Sequence, residues 1–224
     1  MRRFLMTTSL LGFFIAASTA ADPKPELKPI MTERGKSILN DDLSSIAKDW
    51  KAGKGKWEVV DGALRGAELK ADMHGAVTRR DAAFENGVVQ FAFKLDGAKS
   101  ISLSMNGPKA HICRVSIRPN GFSVQKDDQD GKTGPDTGLV LSTVETPIKA
   151  GEWHTMVVEM QGKEMLATLD GEFTAYGEND AINKPKANIG LTVAGETAWY
   201  KNLSVSEASP RADWDKVKEK YKKK

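Results

Sequence analysis

The sequence predicts an all-β protein: a two-sheet antiparallel β-sandwich with a short C-terminal helix. Three observations carry this. Seven Asp-Gly or Asn-Gly pairs punctuate the chain, at 61–62, 86–87, 96–97, 106–107, 120–121, 130–131 and 170–171. Such pairs accept positive φ and favour hairpin turns. Between them run short segments in which apolar residues alternate with polar ones, the period of a half-buried strand. No long amphipathic helix separates these segments, which excludes an α/β fold.

In chain order, strands are expected at 57–60, 63–66, 76–79, 87–95, 100–105, 111–117, 121–126, 153–160, 164–169, 187–193 and 198–205. The first two flank Asp61-Gly62 and read as a hairpin. Val89, Phe91, Phe93 and Leu95 share one face of the fourth. Ile101, Leu103 and Met105 do so in the fifth, and Cys113, Val115 and Ile117 in the sixth. Phe122 and Val124 follow in the seventh, then Met156, Val158 and Met160 in the eighth. One-sided burial over about eleven strands calls for two stacked layers. Trp199-Tyr200 is split by parity, one ring to each side. Trp57 and Trp153 begin strands; closing the core is the expected role, stacking on a sugar the alternative. Residues 211–224 repeat Trp214, Val217 and Tyr221 at helical spacing behind Pro210, and their lysines read as a solvated helix end.

The flanks suggest domain organisation and compartment. Residues 1–20 have the pattern of an export signal: Arg2 and Arg3, an apolar stretch, then Ser18-Thr19-Ala20, with cleavage expected after Ala20 or Ala21. Residues 21–36 contain Pro23, Pro25 and Pro29 and read as a linker, 37–208 as the sandwich, and 209–224 as a Lys-rich tail. Once 1–20 is removed, 31 basic and 30 acidic residues remain. The tail holds seven basic and three acidic, leaving the body at 24 against 27, slightly acidic. That argues against a nucleic-acid partner. No membrane span is expected in the mature chain, which is placed in the periplasm or outside the cell. Cys113 is the single cysteine, so no internal disulfide forms, and its place on an apolar face marks it as a buried thiol.

Familiar catalytic constellations are scarce. His74, His111 and His154 are spread along the chain with no zinc-ligand spacing. Asp127, Asp128 and Asp130 precede Gly131, but an EF-hand frame fails because Lys126 takes the first ligand position and Thr137 the twelfth. No metal or other cofactor is expected, with a loosely bound calcium at this loop as the open alternative. There is no nucleophile elbow, Walker loop or dinucleotide fingerprint. No strand carries the alternating acids that let one strand flank a glycosidic bond. His154 is assigned a structural hydrogen bond, with acid–base chemistry as its alternative.

A polar face remains. With the apolar sets turned inward, Ser102, Ser104, Arg114, Ser116, Arg118, Ser123, Gln125 and Asp127 share the opposite side of three consecutive strands. Small hydroxyls beside two arginines, an amide and a carboxylate suit an oxygen-rich ligand. Ser102, Ser104, Arg114, Arg118, Gln125 and Asp127 are the expected ligand-binding set, forming one solvent-facing patch with the serines leaving a groove.

Several segments resemble a known family: Gly55-Lys56-Trp57-Glu58-Val59-Val60-Asp61-Gly62-Ala63-Leu64, Gly151-Glu152-Trp153-His154-Thr155-Met156-Val157-Val158, Leu169-Asp170-Gly171, Asn188-Ile189-Gly190-Leu191 and Trp199-Tyr200-Lys201-Asn202-Leu203. Over about residues 36–205 the chain resembles the 3-keto-disaccharide hydrolase domain family of the concanavalin A-like lectin/glucanase superfamily, which includes family-16-like glycoside hydrolase domains. The resemblance implies a concanavalin A-like jelly roll and a role with carbohydrates outside the cytoplasm. The central strands depart from the family pattern at 98–104 and 111–115, so no catalytic residue carries over by motif. Two readings follow. One is an exported hydrolase acting on a 3-keto-glycoside by proton abstraction, with His111 or Asp127 as base and Arg114 or Arg118 stabilising the enolate. The other is a non-catalytic carbohydrate-binding or cell-envelope interaction module. In both, the partner is a glycoside.

Overall fold

A computed structural model describes residues 23, 26–131 and 133–222. The expected export signal lies outside the described residues. Thirteen strands follow in order: β1 (Thr32–Asp41), β2 (Lys51–Lys54), β3 (Lys56–Val60), β4 (Ala63–Ala67), β5 (Ala76–Phe84), β6 (Gly87–Asn106), β7 (His111–Arg118), β8 (Gly121–Lys126), β9 (Leu139–Glu145), β10 (His154–Gln161), β11 (Glu164–Leu169), β12 (Phe173–Glu178) and β13 (Lys186–Pro210). A one-turn helix, α1 (Trp214–Val217), and a 3₁₀ turn at Lys218–Lys220 end the chain.

Two strands organise the molecule. The segments expected as separate strands at 87–95 and 100–105 are one strand, β6, and those at 187–193 and 198–205 are one strand, β13. Both bend midway and pass from one layer to the other, so hydrogen bonding is continuous across a single antiparallel sheet folded on itself. Asp96-Gly97 is therefore a bend inside β6, not a hairpin turn. Gly97, paired with Thr197, and Gly195, paired with Ala98, have positive φ, and the β6–β13 register shifts there. Positive φ at a barrel-like corner favours glycine, because a Cβ crowds the backbone. Asp61-Gly62 and Asp170-Gly171, with positive φ at both residues, do make hairpins, the first with a two-residue loop and the second with a three-residue loop that includes Glu172.

One layer contains β12, β11, β10, the first half of β6 and the second half of β13, with β1, β4 and β3 beyond. The other contains β2, β5, the first half of β13, the second half of β6, then β7, β8 and β9. Between them Phe91, Phe93, Leu103, Val115, Ile117, Met156, Val158 and Leu191 are buried in one core, as their alternation predicted. Tyr200 joins that core and Trp199 faces out. Cys113 is fully buried, its Sγ 3.6 Å from Met160 Sδ, and burial pushes the thiol up to about 12. It is inert.

The termini cover part of the outer face of the first layer. The segment expected as a linker through residue 36 enters β1 at Thr32, and its approach is pinned by Glu159 of β10. That carboxylate is 0 % exposed and accepts from the N–H groups of Ile30 (2.8 Å), Met31 (2.7 Å) and Thr32 (2.7 Å) and from Thr32 Oγ1 (2.9 Å). Burial pushes it up, and these four donors offset part of that. Met31, Leu166, Tyr176 and Trp214 form a second small core there. The tail is helical only over α1 and one further turn, and Trp214 anchors it by packing on Tyr176 (5.9 Å) and donating to Glu164.

A polar sheet face as the candidate site

The face of the second layer turned away from the core carries the predicted residues in register. One row crosses it as Arg79 (β5), Gly190 (β13), Ser104 (β6), Arg114 (β7) and Gln125 (β8). The next row contains Thr192, Ser102, Ser116 and Ser123. On the other side lie Asp81, Asn188, Asn106 and His111. Parity thus places Ser102, Ser104, Arg114, Gln125 and Asp127 on one side, with Arg118 at the far end of β7 beside the β7–β8 hairpin.

Their exposure differs from the expectation. Ser102 is 6 % exposed and Ser104 2 %, and Asp127 is buried; only Arg118 is fully in solvent. Neighbours cover the serines. Ser102 Oγ lies 2.6 Å from Thr192 Oγ1, and Ser104 Oγ donates to the Gly190 carbonyl. A Cβ added at Gly190 would lie 2.7 Å from Ser104 Oγ and 3.5 Å from both Arg79 Cγ and Asn106 Nδ2. The small residues are a packed floor beneath longer arms, not an open groove. The shallow groove that does exist lies towards the β8–β9 edge, lined by Arg118, Ser123, Gln125, Val140 and Thr143.

The reactive groups meet at the β6–β7 end. His111 Nδ1 pairs with Asn106 Oδ1, and Asn106 Nδ2 donates to Asn188 Oδ1 (2.8 Å). With the Asn106 amide so directed, its oxygen faces His111, the imidazole carries its proton on Nδ1, and Nε2 keeps its lone pair. Burial, then the charge of Arg114 and, more weakly, Arg79, holds the imidazole below its ordinary value against the pull of Asp127. The result is a neutral base. Arg114 Nε donates to Asp127 Oδ1 at 2.6 Å, while Asp127 Oδ2 is buried without a hydrogen-bond partner among the described residues. Asp127 is thus engaged by the arginine and offers one lone acceptor.

Sequence reasoning missed Arg79, Asn106 and Asn188. Arg79 ends the strand expected at 76–79, and nothing in the chain placed that strand beside β13. Asn106 was read as a turn residue. His154 sits across the core from this face: its Nδ1 meets Asp170 Oδ2 at 2.7 Å and its ring packs on Phe93. Burial lowers its affinity for a proton, and the Asp170 hydrogen bond and charge more than reverse this. The acidic loop brings Asp128, Asp130 and Asp136 within 4.8 Å of one another, but Lys126 Nζ already pairs with Asp136. Asp127 points to Arg114 instead. The two tryptophans expected to close the core divide: Trp57 packs on Tyr200, whereas Trp153 is half-buried on the outer face of the first layer with Lys94 and Lys201 over its ring.

A family profile described as a 3-keto-alpha-glucoside-1,2-lyase-like domain matches residues 36–206. The chain belongs to this family. No curated protein matches it. Its fold is similar to that of a carbohydrate-binding module from Bacillus subtilis, at TM-score 0.60 and 14 % identity, covering 71 % of this chain and 96 % of that one. A Bacillus subtilis protein with a galectin-like fold aligns at TM-score 0.62 and 15 % identity, covering 81 % and 100 %. A Bacillus licheniformis β-glucanase aligns at TM-score 0.58 and 11 % identity, covering 78 % and 100 %. The fold is a jelly roll, similar to that of this glucanase and this binding module. Among the described residues no helix is long and apolar enough to cross a membrane.

Proposed function

We propose that this protein is an exported lyase-type enzyme that cleaves 3-keto-glycosides at the polar face of the second layer. The observation that carries the reading is the Asn188–Asn106–His111 relay, which holds a neutral imidazole beside Arg114 and Arg79. A ketone at C3 of a sugar acidifies the hydrogen on C2. His111 Nε2 takes that proton, and the C–H electron pair enters an enolate. Arg114, held by Asp127, and Arg79, which reaches in from β5, supply donors to the developing negative charge. The enolate then re-forms the ketone, a C1–C2 double bond appears, the C1–O bond breaks, and the leaving oxygen takes the bond's electron pair and the proton that His111 Nε2 carries, which regenerates the neutral imidazole. Asp127 Oδ1 holds the Arg114 guanidinium in place. Ser102, Ser104 and Gln125 support the arms from beneath and beside, and Arg118 lies at the outer end of the groove. Arg79 and Arg114 stand three strand spacings apart, roughly 14 Å between backbones, with the saccharide between them.

Release of the aglycone from a nitrophenyl 3-keto-α-glucoside tests this. His111→Gln should lower kcat about 100-fold or more. Arg114→Ala should weaken substrate binding by about 1–3 kcal/mol. The depressed imidazole should keep kcat/KM flat to below the ordinary histidine range. Turnover unchanged in His111→Gln would overturn the mechanism. Binding of the keto-glycoside without turnover by the wild-type protein would leave a binding module in its place. Export is supported by the charged, apolar and small-residue pattern of residues 1–20. N-terminal sequencing of the protein from its native host tests it, with residue 21 or 22 expected first; an intact Met1 in membrane fractions would refute it.

A further inference from the structure

On the opposite side of the core, the outer face of the first layer carries a second polar surface that the reaction above does not use. Along β13 the outward residues run Trp199, Lys201, Ser204 and Ser206, with a bulge at Asn202 in the left-handed conformation. The run spans roughly 20 Å of strand. At one end a ladder crosses four strands. Lys94 Nζ stands 4.8 Å from the Trp199 ring centre and 5.2 Å from that of Trp153, and Arg65 lies over the far side of the ladder on Trp199. Lys201 reaches the same Trp153 ring at 5.1 Å and also lines the cleft that begins at Asn202, so ladder and cleft are continuous. The cleft continues past Ser204 to Ser206, between Asn40 of β1 and Gln90 of β6, and ends at Arg34.

One group in this cleft lacks a partner. Ser206 is 7 % exposed, lines the cleft, and its Oγ makes no hydrogen bond among the described residues. A buried hydroxyl without a partner costs free energy that a ligand hydroxyl recovers. Around it the donors and acceptors are amides and hydroxyls. The charged groups balance in number: the four cations Arg34, Arg65, Lys94 and Lys201 are matched by the four carboxylates Glu26, Asp42, Glu58 and Asp96, with Arg34 paired to Glu26 at 3.1 Å and Arg65 to Glu58 at 3.0 Å. Such a surface has no net attraction for a polyanion. It matches a ligand with hydroxyls to meet Ser206, Asn40 and Gln90 and with C–H groups to pass along the outer edges of the two indoles, whose faces Lys94, Lys201 and Arg65 cover.

We infer that this outer cleft is a second binding site, for a neutral oligosaccharide lying along β13. Its length calls for several sugar units, not one. The inference stands independently of the reaction proposed for the other face, and the two fail in different ways.

The test is titration of the mature protein with β-1,3-, β-1,4- and α-1,4-linked glucose hexasaccharides, following the five indole N–H resonances and the heat of binding. At least one hexasaccharide should shift the Trp153 and Trp199 signals and leave those of Trp50, Trp57 and Trp214 in place. Ser206→Ala should weaken that binding about five-fold, and Trp153→Ala about ten-fold. Arg114→Ala, across the core, should leave it unchanged. Absence of binding by all three probes at millimolar concentration overturns the inference. So does binding that Arg114→Ala abolishes and the two outer-face variants leave intact, or tighter binding of hexagalacturonate than of every neutral probe.

Discussion

Replacing Glu159 by glutamine tests how the N-terminal segment is held. The carboxylate is fully buried, with one acceptance at Oε1 and three at Oε2. In Glu159→Gln the shape is kept but one oxygen becomes an NH₂ donor. Oriented favourably, the amide oxygen keeps the three contacts to Met31 and Thr32, and the NH₂ then faces the Ile30 N–H. One buried donor is orphaned, at about 1–3 kcal/mol, and three charge-assisted bonds fall to neutral strength, at about 0.5–1 kcal/mol each. Removing a buried charge returns part of this. The expected net loss is about 2–5 kcal/mol, read from urea unfolding of the mature protein by tryptophan fluorescence. Because Met31 packs with Trp214, the loss should be accompanied by faster proteolysis on both sides of 26–32 and in the tail. A variant within about 0.5 kcal/mol of wild type, with unchanged proteolysis, would show that the four hydrogen bonds do not hold the segment.

Three further outcomes follow from the same structure. Phe93→Ala, which empties a fully buried position against Phe91 and His154, should cost about 3–5 kcal/mol in urea unfolding, and an unchanged midpoint would contradict the inward face of β6. Trp214→Ala should release the tail from Tyr176 and Glu164, giving early tryptic cleavage after Lys216 or Lys218 while the sandwich stays folded; a protected tail would show another anchor. Since Asp170 holds His154 above its ordinary value of 6.5, its contribution is fully present below that pH and is lost as pH rises through the higher folded value. The stability gap between wild type and His154→Gln should therefore narrow from pH 6 towards pH 8, and a gap that widens would reverse the assignment.

The all-β class, most strands and the core face were legible in the chain because they depend on period-two alternation and on turn residues, both local signals. Val89, Phe91 and Phe93 declare an inward face whatever they pack against. The resemblance through Trp57, Trp153 and Asn188–Leu191 then led to the family. What the chain did not disclose depends on which strands become neighbours. Nothing in Asp96-Gly97 distinguishes a hairpin from a bend in a twenty-residue strand, since both need positive φ at glycine. Strands β1, β2, β9 and β12 carry weak alternation and exist because an edge was available to pair with. Parity assigned Ser102 and Ser104 to the correct side but not their depth, which Thr192 and Gly190 set from β13. The charge state of His111 and the placing of Trp153 on the outer face were decided the same way. Each is the product of side chains brought from distant positions into one register, and only the folded sheet defines that register.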